Sequence, residues 1–351
     1  MKDCRYDSIA GRSKAESSRG RDSMEKVTIY DVAEEAGLSI ATVSRYINHK
    51  GGISEKSEAK IVAAIEKLHY TPAASAQNLA SGNSGTIGIQ IGDKLVDHYF
   101  YQFLSGAYQA AVEEGFDVLL TRLNGDPNQV CSNVLTRKKM DGIIFPSAQG
   151  KEVEYVKGLY DREFPVCYAG IRQQWDTRKQ NVYGGFTAYR REAMELLIQK
   201  GCKRILWLEQ FKRDLPKAEG IIQGCSKPEA FLEPVVIEGM SVKEIHQMLV
   251  EILKKVDHPD GIFFISAEIA GYVYAAAGET GLKIPDDVRL ITSIHSMQQD
   301  KLFTPNLAAV YIDAYQMGYQ AGIQTCAMIK GSERNLDARM VPYKILENET
   351  I

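Results

Sequence analysis

Apolar and polar positions alternate with two different periods along this chain, and the switch between them divides it. From Val27 to Arg45 the period is helical. Ile29, Val32, Ala33 and Ala36 recur at spacings of three and four and give one short helix a single apolar face. Gly37 can take positive φ and end that helix. Ser39 stands where its side-chain oxygen caps the next helix. Val43 and Ile47, four apart, pack the second helix back onto the first. Ile40, Ala41, Thr42, Ser44 and Arg45 are left facing outward, and small, hydroxyl and guanidinium groups near a helix start suit the DNA major groove. Ser54 caps a third helix reaching about Leu68, with Ile61, Ile65 and Leu68 inward. By itself this pattern fits an ordinary small helical bundle with a solvated face as well as it fits a helix-turn-helix.

Beyond the small-residue linker Ser81–Gly85 the rhythm changes. Short apolar runs read as strands at Thr86–Ile91, Phe116–Leu120, Gly142–Phe145, Pro165–Tyr168, Arg204–Leu208, Pro234–Ile237, Gly261–Ile265 and Val288–Ile291. Helical spacing lies between them, for example over 99–115, 187–200, 241–256 and 268–281. Strands alternating with helices, the strands apolar throughout, predict parallel sheets wrapped by helices. There are too many strands for one comfortable sheet.

Composition adds limits. At 351 residues the chain can bury a sizeable core and hold more than one domain. Its net charge is −3, and Met24–Ser84 carries six Lys/Arg against seven Asp/Glu. The non-specific, electrostatic part of any DNA affinity is therefore modest. Cys4, Cys131, Cys167, Cys202, Cys225 and Cys326 are scattered without a C-x-x-C pair, which predicts buried free thiols in a reducing, cytoplasmic setting. No apolar run approaches the roughly 18 residues of a membrane span. Residues 1–23 lack the apolar segment of a secretory signal. They read as a disordered extension, as a start codon assigned too far upstream, or as a weakly basic arm with six Lys/Arg against four Asp/Glu. Enzyme chemistry has little footing. There is no phosphate-binding glycine loop after a strand and no Gly-x-Ser-x-Gly elbow, and the histidines at 49, 69, 98, 246, 258 and 295 are not spaced as metal ligands. Neither a metal nor a cofactor is expected.

Thr28-Ile29-Tyr30-Asp31-Val32-Ala33, Ala36-Gly37-Leu38-Ser39, Ala41-Thr42-Val43-Ser44-Arg45 and Tyr70-Thr71-Pro72, with Ala76 and Leu79 behind, together resemble the lactose-repressor (LacI/GalR) family of bacterial transcription regulators. The resemblance runs more loosely to the end of the chain. It implies an all-α helix-turn-helix head over 24–71 and a hinge helix and linker over 72–84. An α/β core resembling the periplasmic binding proteins, with two doubly wound parallel-sheet subdomains, follows over 85–351. The N-subdomain would comprise about 85–200 and 312–336, and the C-subdomain about 201–311 and 337–351. It implies a cytoplasmic homodimer, since the tetramerising heptads of some relatives do not follow Val341-Pro342-Tyr343. The partners would be double-stranded operator DNA and a small-molecule effector in the inter-subdomain cleft.

Carried over residue by residue, Ile40 and Ala41 occupy the main base-reading positions, where apolar groups can read a thymine methyl but make no bidentate contact. Arg45 is the candidate for guanine. Thr42 and Ser44 would bond phosphate or a base edge, Thr28 and Tyr30 phosphate, and Asn48 and His49 the backbone. Leu79 would wedge into the minor groove and Ala76 would pack between paired hinge helices; Ala73 replaces a frequent Asn.

In the cleft the sequence departs from the family. The usual Gly-Phe-Asp-Asp aligns with Thr292-Ser293-Ile294-His295, so that Ile294 replaces a pocket Asp. Ala-Asn-Asp aligns with Ile265-Ser266-Ala267, leaving Glu268 one place on. Other acidic positions fall on Gly170 or Ile171 and on Gly184-Gly185, and Lys217 takes the place of an Arg. Carboxylates accept hydrogen bonds from sugar hydroxyls, so their loss implies an effector other than a typical neutral sugar. In one reading the pocket takes a less polar or anionic molecule, with Lys217 supplying charge, His295 and Ser266 polar contacts, Tyr99 and Phe100 an aromatic wall, and Asp93 and Glu268 the remaining acids. In the other, the cleft has lost its ligand. A binding protein whose head no longer reads DNA is the rival from another class.

Overall fold

A computed structural model describes residues 27–48, 51–70, 83–91, 98–148, 150–172, 181–226, 234–332 and 339–351. The chain divides into two compact units, 1–81 and 82–351. Ala76, Leu79, Asp93 and the 1–23 extension lie outside the described residues.

The first unit holds α1 (Ile29–Ala36), α2 (Ile40–Ile47) and α3 (Glu55–Leu68). Gly37 ends α1 in the left-handed conformation, at φ +62°. The Ser39 hydroxyl accepts the Thr42 N–H at 3.1 Å and starts α2. Ser54 does the same for α3 through Ser57. Val32, Ala33, Ala36, Val43, Ile47, Ile61, Ala64 and Tyr70 form the core. Ile65 and Leu68, expected inward, are only partly buried, because Ala64 brings α3 close enough to take that place.

The second unit runs β1 (Thr86–Gln90), α4 (His98–Glu113), β2 (Asp117–Thr121), α5 (Pro127–Arg137), β3 (Gly142–Phe145), α6 (Lys151–Tyr160), β4 (Val166–Gly170), β5 (Val182–Gly184) and α7 (Phe186–Gln199). It continues through β6 (Ile205–Glu209), α8 (Leu215–Gln223), β7 (Val235–Val236), α9 (Val242–Leu253), β8 (Gly261–Phe264), α10 (Ala270–Thr280) and β9 (Arg289–Ile294). It closes with β10 (Ala308–Ile312), α11 (Ala314–Ile329), β11 (Arg339–Val341) and β12 (Tyr343–Leu346). Two six-stranded sheets result, in the orders β11-β5-β4-β3-β1-β2 and β12-β10-β9-β8-β6-β7. All pairings are parallel except β10 with β12. The central strands β1, β3, β4, β6, β8 and β9 are buried on both faces, which is why they read as continuous apolar runs.

The two sheets repeat one local device. Asp141-Gly142-Ile143 opens β3 and Asp260-Gly261-Ile262 opens β8. The Asp141 carboxylate accepts the backbone N–H groups of Ser84 and Gly85, each at 2.7 Å, and Asp260 accepts those of Lys203 and Arg204. Each thus pins the first strand of its own subdomain beside the third.

Chain order and subdomain membership do not coincide where the sequence places the boundaries. Arg339–Val341 was expected with the C-subdomain, yet it pairs with Val182–Gly184 in the N-terminal sheet. Helix α7, expected in the N-subdomain, packs against β8 and β9. The chain passes between sheets at Gly185, Asp313 and Pro342, so one short strand or helix on either side of each crossing belongs across the divide. Strands β5, β10, β11 and β12 were not foreseen, two of them being only three residues long.

Candidate functional site

On the head, α2 presents Ile40, Ala41 and Arg45 outward, with Thr42 and Ser44 half-exposed beside them. Val43 and Ile47 hold the opposite face against α1. Several polar groups of this face already have partners. The Ser39 and Thr42 hydroxyls lie 2.8 Å apart. Asn48 Nδ2 donates to the Ser44 carbonyl at 2.8 Å and caps the end of the helix. Arg45 donates through Nη2 and Nε to the Gly51 carbonyl at 3.1 and 3.4 Å, which aims its guanidinium along the loop after α2. Thr28 gives both its N–H and its hydroxyl to Asp31 at 2.7 Å, and these bonds hold the Asp31 carboxyl below its usual range. Tyr30 is 66 % exposed, the most exposed of the large apolar side chains among the described residues of the head. The structure therefore gathers Tyr30, Ile40, Ala41, Thr42, Ser44 and Arg45 on the outside of the first two helices, while Thr28, Ser39 and Asn48 serve as caps.

In the second unit the carboxyl ends of the strands of both sheets face one cleft of about 710 Å³. Tyr99, Phe100, Ser266, Glu268 and His295 line it, as the sequence predicts. Lys217 does not. Asp214, three residues earlier, takes its ammonium at 2.9 Å, and the side chain stands 45 % exposed outside the lining. Ile294 is corrected as well. Alternation along β9 turns Ser293 and His295 toward the cleft and buries Ile294 in the C-subdomain core. The missing acidic group therefore maps to its neighbours and not to Ile294.

A chain of rings crosses the cleft wall. His295 and Tyr99 meet edge to face at 5.0 Å between centroids, Tyr99 and Phe186 at 6.3 Å, and Phe186 and Tyr189 at 5.8 Å. The Arg190 guanidinium lies 5.9 Å from the Tyr189 ring. Burial pushes the His295 imidazole down to about 4, so it is neutral near pH 7. Its Nδ1 and the Nε2 of His98 are buried without a hydrogen-bond partner among the described residues. Arg190 and Glu209 are also buried. Burial opposes the charge on Arg190, but Tyr189, Glu209 and Asp214 outweigh it and raise its pKa. Burial raises the Glu209 carboxyl, with Arg190 acting against that rise.

Sequence reasoning missed Arg190, although the signal was present. Phe186, Tyr189, Arg190, Ala193 and Leu197 fall at i, i+3, i+4, i+7 and i+11, which puts an arginine on the buried stripe of α7. Gln90, Arg122, Lys151 and Glu152 of the lining were also unforeseen. They stand at strand ends or on the first turn of a helix, where no periodic pattern marks them. Among the described residues, no group of three His, Cys, Asp or Glu is placed to hold a metal, and no helix is long and apolar enough to cross a membrane. Cys131, Cys167, Cys202, Cys225 and Cys326 are buried, and burial pushes the Cys202 and Cys225 thiols up to about 11.

The family model of bacterial regulatory proteins of the lacI family matches residues 28–73, and that of the periplasmic binding protein-like domain matches 194–351. The chain thus joins a lacI-family helix-turn-helix head to a periplasmic binding protein-like domain. It is a DNA-binding transcription regulator. Catabolite control protein A of Staphylococcus aureus strain MRSA252 is 29% identical over 341 residues, covering 91% of this chain and 97% of the relative. The protein of the same name from Staphylococcus epidermidis is 28% identical over 301 residues, covering 83% and 89%. Among solved structures, the lac repressor dimer bound to operator and the anti-inducer ONPF matches with a TM-score of 0.76 at 20% identity, over 93% of this chain and 99% of that one. A LacI-family regulator from Silicibacter pomeroyi matches with a TM-score of 0.72 at 20% identity, over 92% and 99%. The LacI-family fold thus accounts for both units.

Proposed function

We propose that this regulator is a cytoplasmic, homodimeric repressor of the LacI family that reads a near-two-fold operator and is controlled by a small molecule in the cleft of its core. The observation that carries the DNA reading is the outer face of α2. Ile40 and Ala41 stand at its start, fixed by the Ser39 cap and by Val43 and Ile47 behind. Those two would read thymine methyls, Arg45 a guanine, Thr42 and Ser44 phosphate or base edges, and Tyr30 phosphate. Thr28, Ser39 and Asn48 would contribute through their backbone positions, since their side chains are occupied as caps. Leu79 would serve as the minor-groove wedge and Ala76 as the close contact between paired hinge helices. Dimerisation is supported by an exposed apolar stripe on α4, formed by Tyr101, Tyr108 and Val112 at i, i+7 and i+11.

Control by a ligand is favoured over an empty, degenerate cleft because the cavity keeps a buried arginine, Arg190, whose side chain makes one long hydrogen bond among the described residues. An unmade hydrogen bond at a buried atom costs about 1–3 kcal/mol, and a bound ligand offsets it. Ligand and operator then act on one coupling free energy, so each changes the affinity of the other by the same factor. The relatives are transcription regulators, and the reading is one of binding, not turnover.

Footprinting of the full-length protein on its own upstream DNA tests the regulator reading. A protected, roughly two-fold-symmetric site is expected, and its absence on every genomic fragment would sink the proposal. Leu79→Ala is expected to weaken specific binding far more than non-specific binding in gel shifts; equal losses would remove the wedge role.

A further inference from the structure

Arg190 is the one arginine in the described part of the cleft wall that is nine-tenths buried, with 9% of its surface exposed. A guanidinium carries five N–H donors in a fixed fork. Among the described residues its side chain makes one hydrogen bond, from Nε to the Tyr189 hydroxyl at a long 3.4 Å. The two carboxylates beside it are committed elsewhere. Glu209 accepts Trp207 Nε1 at 3.2 Å and the backbone N–H groups of Gln210 and Phe211 at 2.8 and 3.4 Å. Asp214 accepts the Lys217 ammonium at 2.9 Å. Both act on Arg190 at longer range and keep it charged. The Arg190 terminal nitrogens are not among the sealed, partnerless atoms of the core, and the residue lines the cavity, so those donors face open space in the cleft. A buried charge so placed is costly unless an opposite charge meets it.

A second observation lies at the other end of the ring wall. His98 and His295 also line this cavity, while His98 Nε2 and His295 Nδ1 are sealed beneath its surface with no hydrogen-bond partner among the described residues. The His295 ring interacts with the backbone of Ile312, which has a carbonyl to accept its other N–H. In that neutral tautomer Nδ1 is an acceptor. Tyr99, Phe186 and Tyr189 separate these atoms from Arg190. The acids of the lining do not fill the guanidinium: Glu152 accepts Gln90 Nε2 at 3.1 Å, Glu238 accepts the Lys212 N–H at 2.9 Å, and Glu268 stands exposed.

We infer that the cleft selects an anionic small molecule, its carboxylate or phosphate held by the Arg190 guanidinium. Arg190, and not Lys217, is the residue that sets this charge preference. The inference rests on the effector reading above and adds the ligand class to it. A forked, charge-assisted pair is directional, so a lysine at 190 recovers charge but not the paired geometry.

The test uses the full-length protein without DNA. Thermal midpoints and calorimetric titrations are compared for matched acid and neutral probes: gluconate against glucose, glycerol 3-phosphate against glycerol, and inorganic phosphate alone, at equal ionic strength. A ligand of the native state raises the midpoint with concentration. At least one acid is expected to do so where its neutral partner does not. A response to gluconate alone marks the acid as a carboxylate, one to glycerol 3-phosphate alone as a phosphate ester, and one to inorganic phosphate as the anion itself. Arg190→Gln is expected to weaken that acid by about tenfold or more, Arg190→Lys to recover part of it, and Lys217→Gln to leave it unchanged. No acid-specific shift at tens of millimolar, equal shifts from the neutral partners, or undiminished affinity in Arg190→Gln would overturn the inference. The paired probes on the wild type decide the matter even if Arg190→Gln fails to fold. Operator protection is measured separately. If it persists without an anion response, only the ligand class fails; if anions bind without any operator, the regulator reading fails.

Discussion

Helices α4 and α11 meet backbone to backbone, and one added methyl group measures how much that contact is worth. At Gly318 an alanine Cβ would sit 1.9 Å from the Phe103 carbonyl oxygen and 3.0 Å from the Ala107 nitrogen. At Gly106 the reciprocal Cβ would sit 2.0 Å from the Tyr315 carbonyl oxygen. Carbon–oxygen contacts between packed helices settle near about 3.3–3.6 Å, so Gly318→Ala must part the helices by roughly 1.5 Å. Phe103, Ala107, Met317 and Ala321 are fully buried at that seam and would lose contact together. Overpacking costs about 1–3 kcal/mol, and the upper end applies because the obstruction is backbone. The better helix propensity of alanine returns about 1 kcal/mol. The net expectation is a loss of about 2 kcal/mol, or roughly 4–8 °C in the melting temperature of a unit this size. Gly278→Ala is the matched control. It is the same chemical change inside α10, with nothing within 4 Å of the new methyl, and it should stabilise by about 0.5–1 kcal/mol. Urea and thermal unfolding of the full-length variants, followed by tryptophan fluorescence, read both signs. Equal shifts in one direction, or a Gly318→Ala protein as stable as wild type, would refute the close-contact argument. Because His98 and Tyr99 begin α4, Gly318→Ala should also disturb the cleft lining.

Ser39→Ala removes the cap of the reading helix and should cost the head about 1 kcal/mol, visible as an earlier melting of helical circular dichroism in a head transition. Arg45→Ala should weaken specific DNA binding by about 10- to 100-fold if its guanidinium reads a guanine, and a change of twofold or less in a gel shift would leave it as a loop anchor to Gly51. His295 gives a pH dependence with a definite sign. Its ordinary value is 6.5 and burial lowers it in the fold to about 4, so the unfolded chain takes up the proton first. Stability from this residue is full above pH 6.5 and falls as the pH drops toward 4, by up to about 3 kcal/mol. His295→Asn should flatten that part of the urea-melt profile between pH 7 and 5; an unchanged slope would show that another group titrates there.

Which parts were legible in the sequence follows from how each residue earns its place. The head could be read almost completely because its caps and apolar spacings are local: Gly37, Ser39 and Ser54 act within four residues of themselves. The central strands of both sheets, such as β3 and β8, were legible because burial on two faces leaves an unbroken apolar run, whereas β5, β10, β11 and β12 were not. The cleft resisted because a pocket is made by tertiary juxtaposition. Alignment alone put Ile294 in the pocket, but the alternation of a strand end decides which neighbour faces inward, and it chooses Ser293 and His295. Alignment likewise put the charge on Lys217, while an acid one helical turn away had already claimed it. Arg190 shows the reverse case. A charged residue on the apolar stripe of α7 violates the pattern around it, and such a violation points to a function because burial must be offset by something. Alignment with relatives placed Ser266, Glu268 and His295 on the cleft, and the departure from periodicity in α7 adds the arginine that alignment does not.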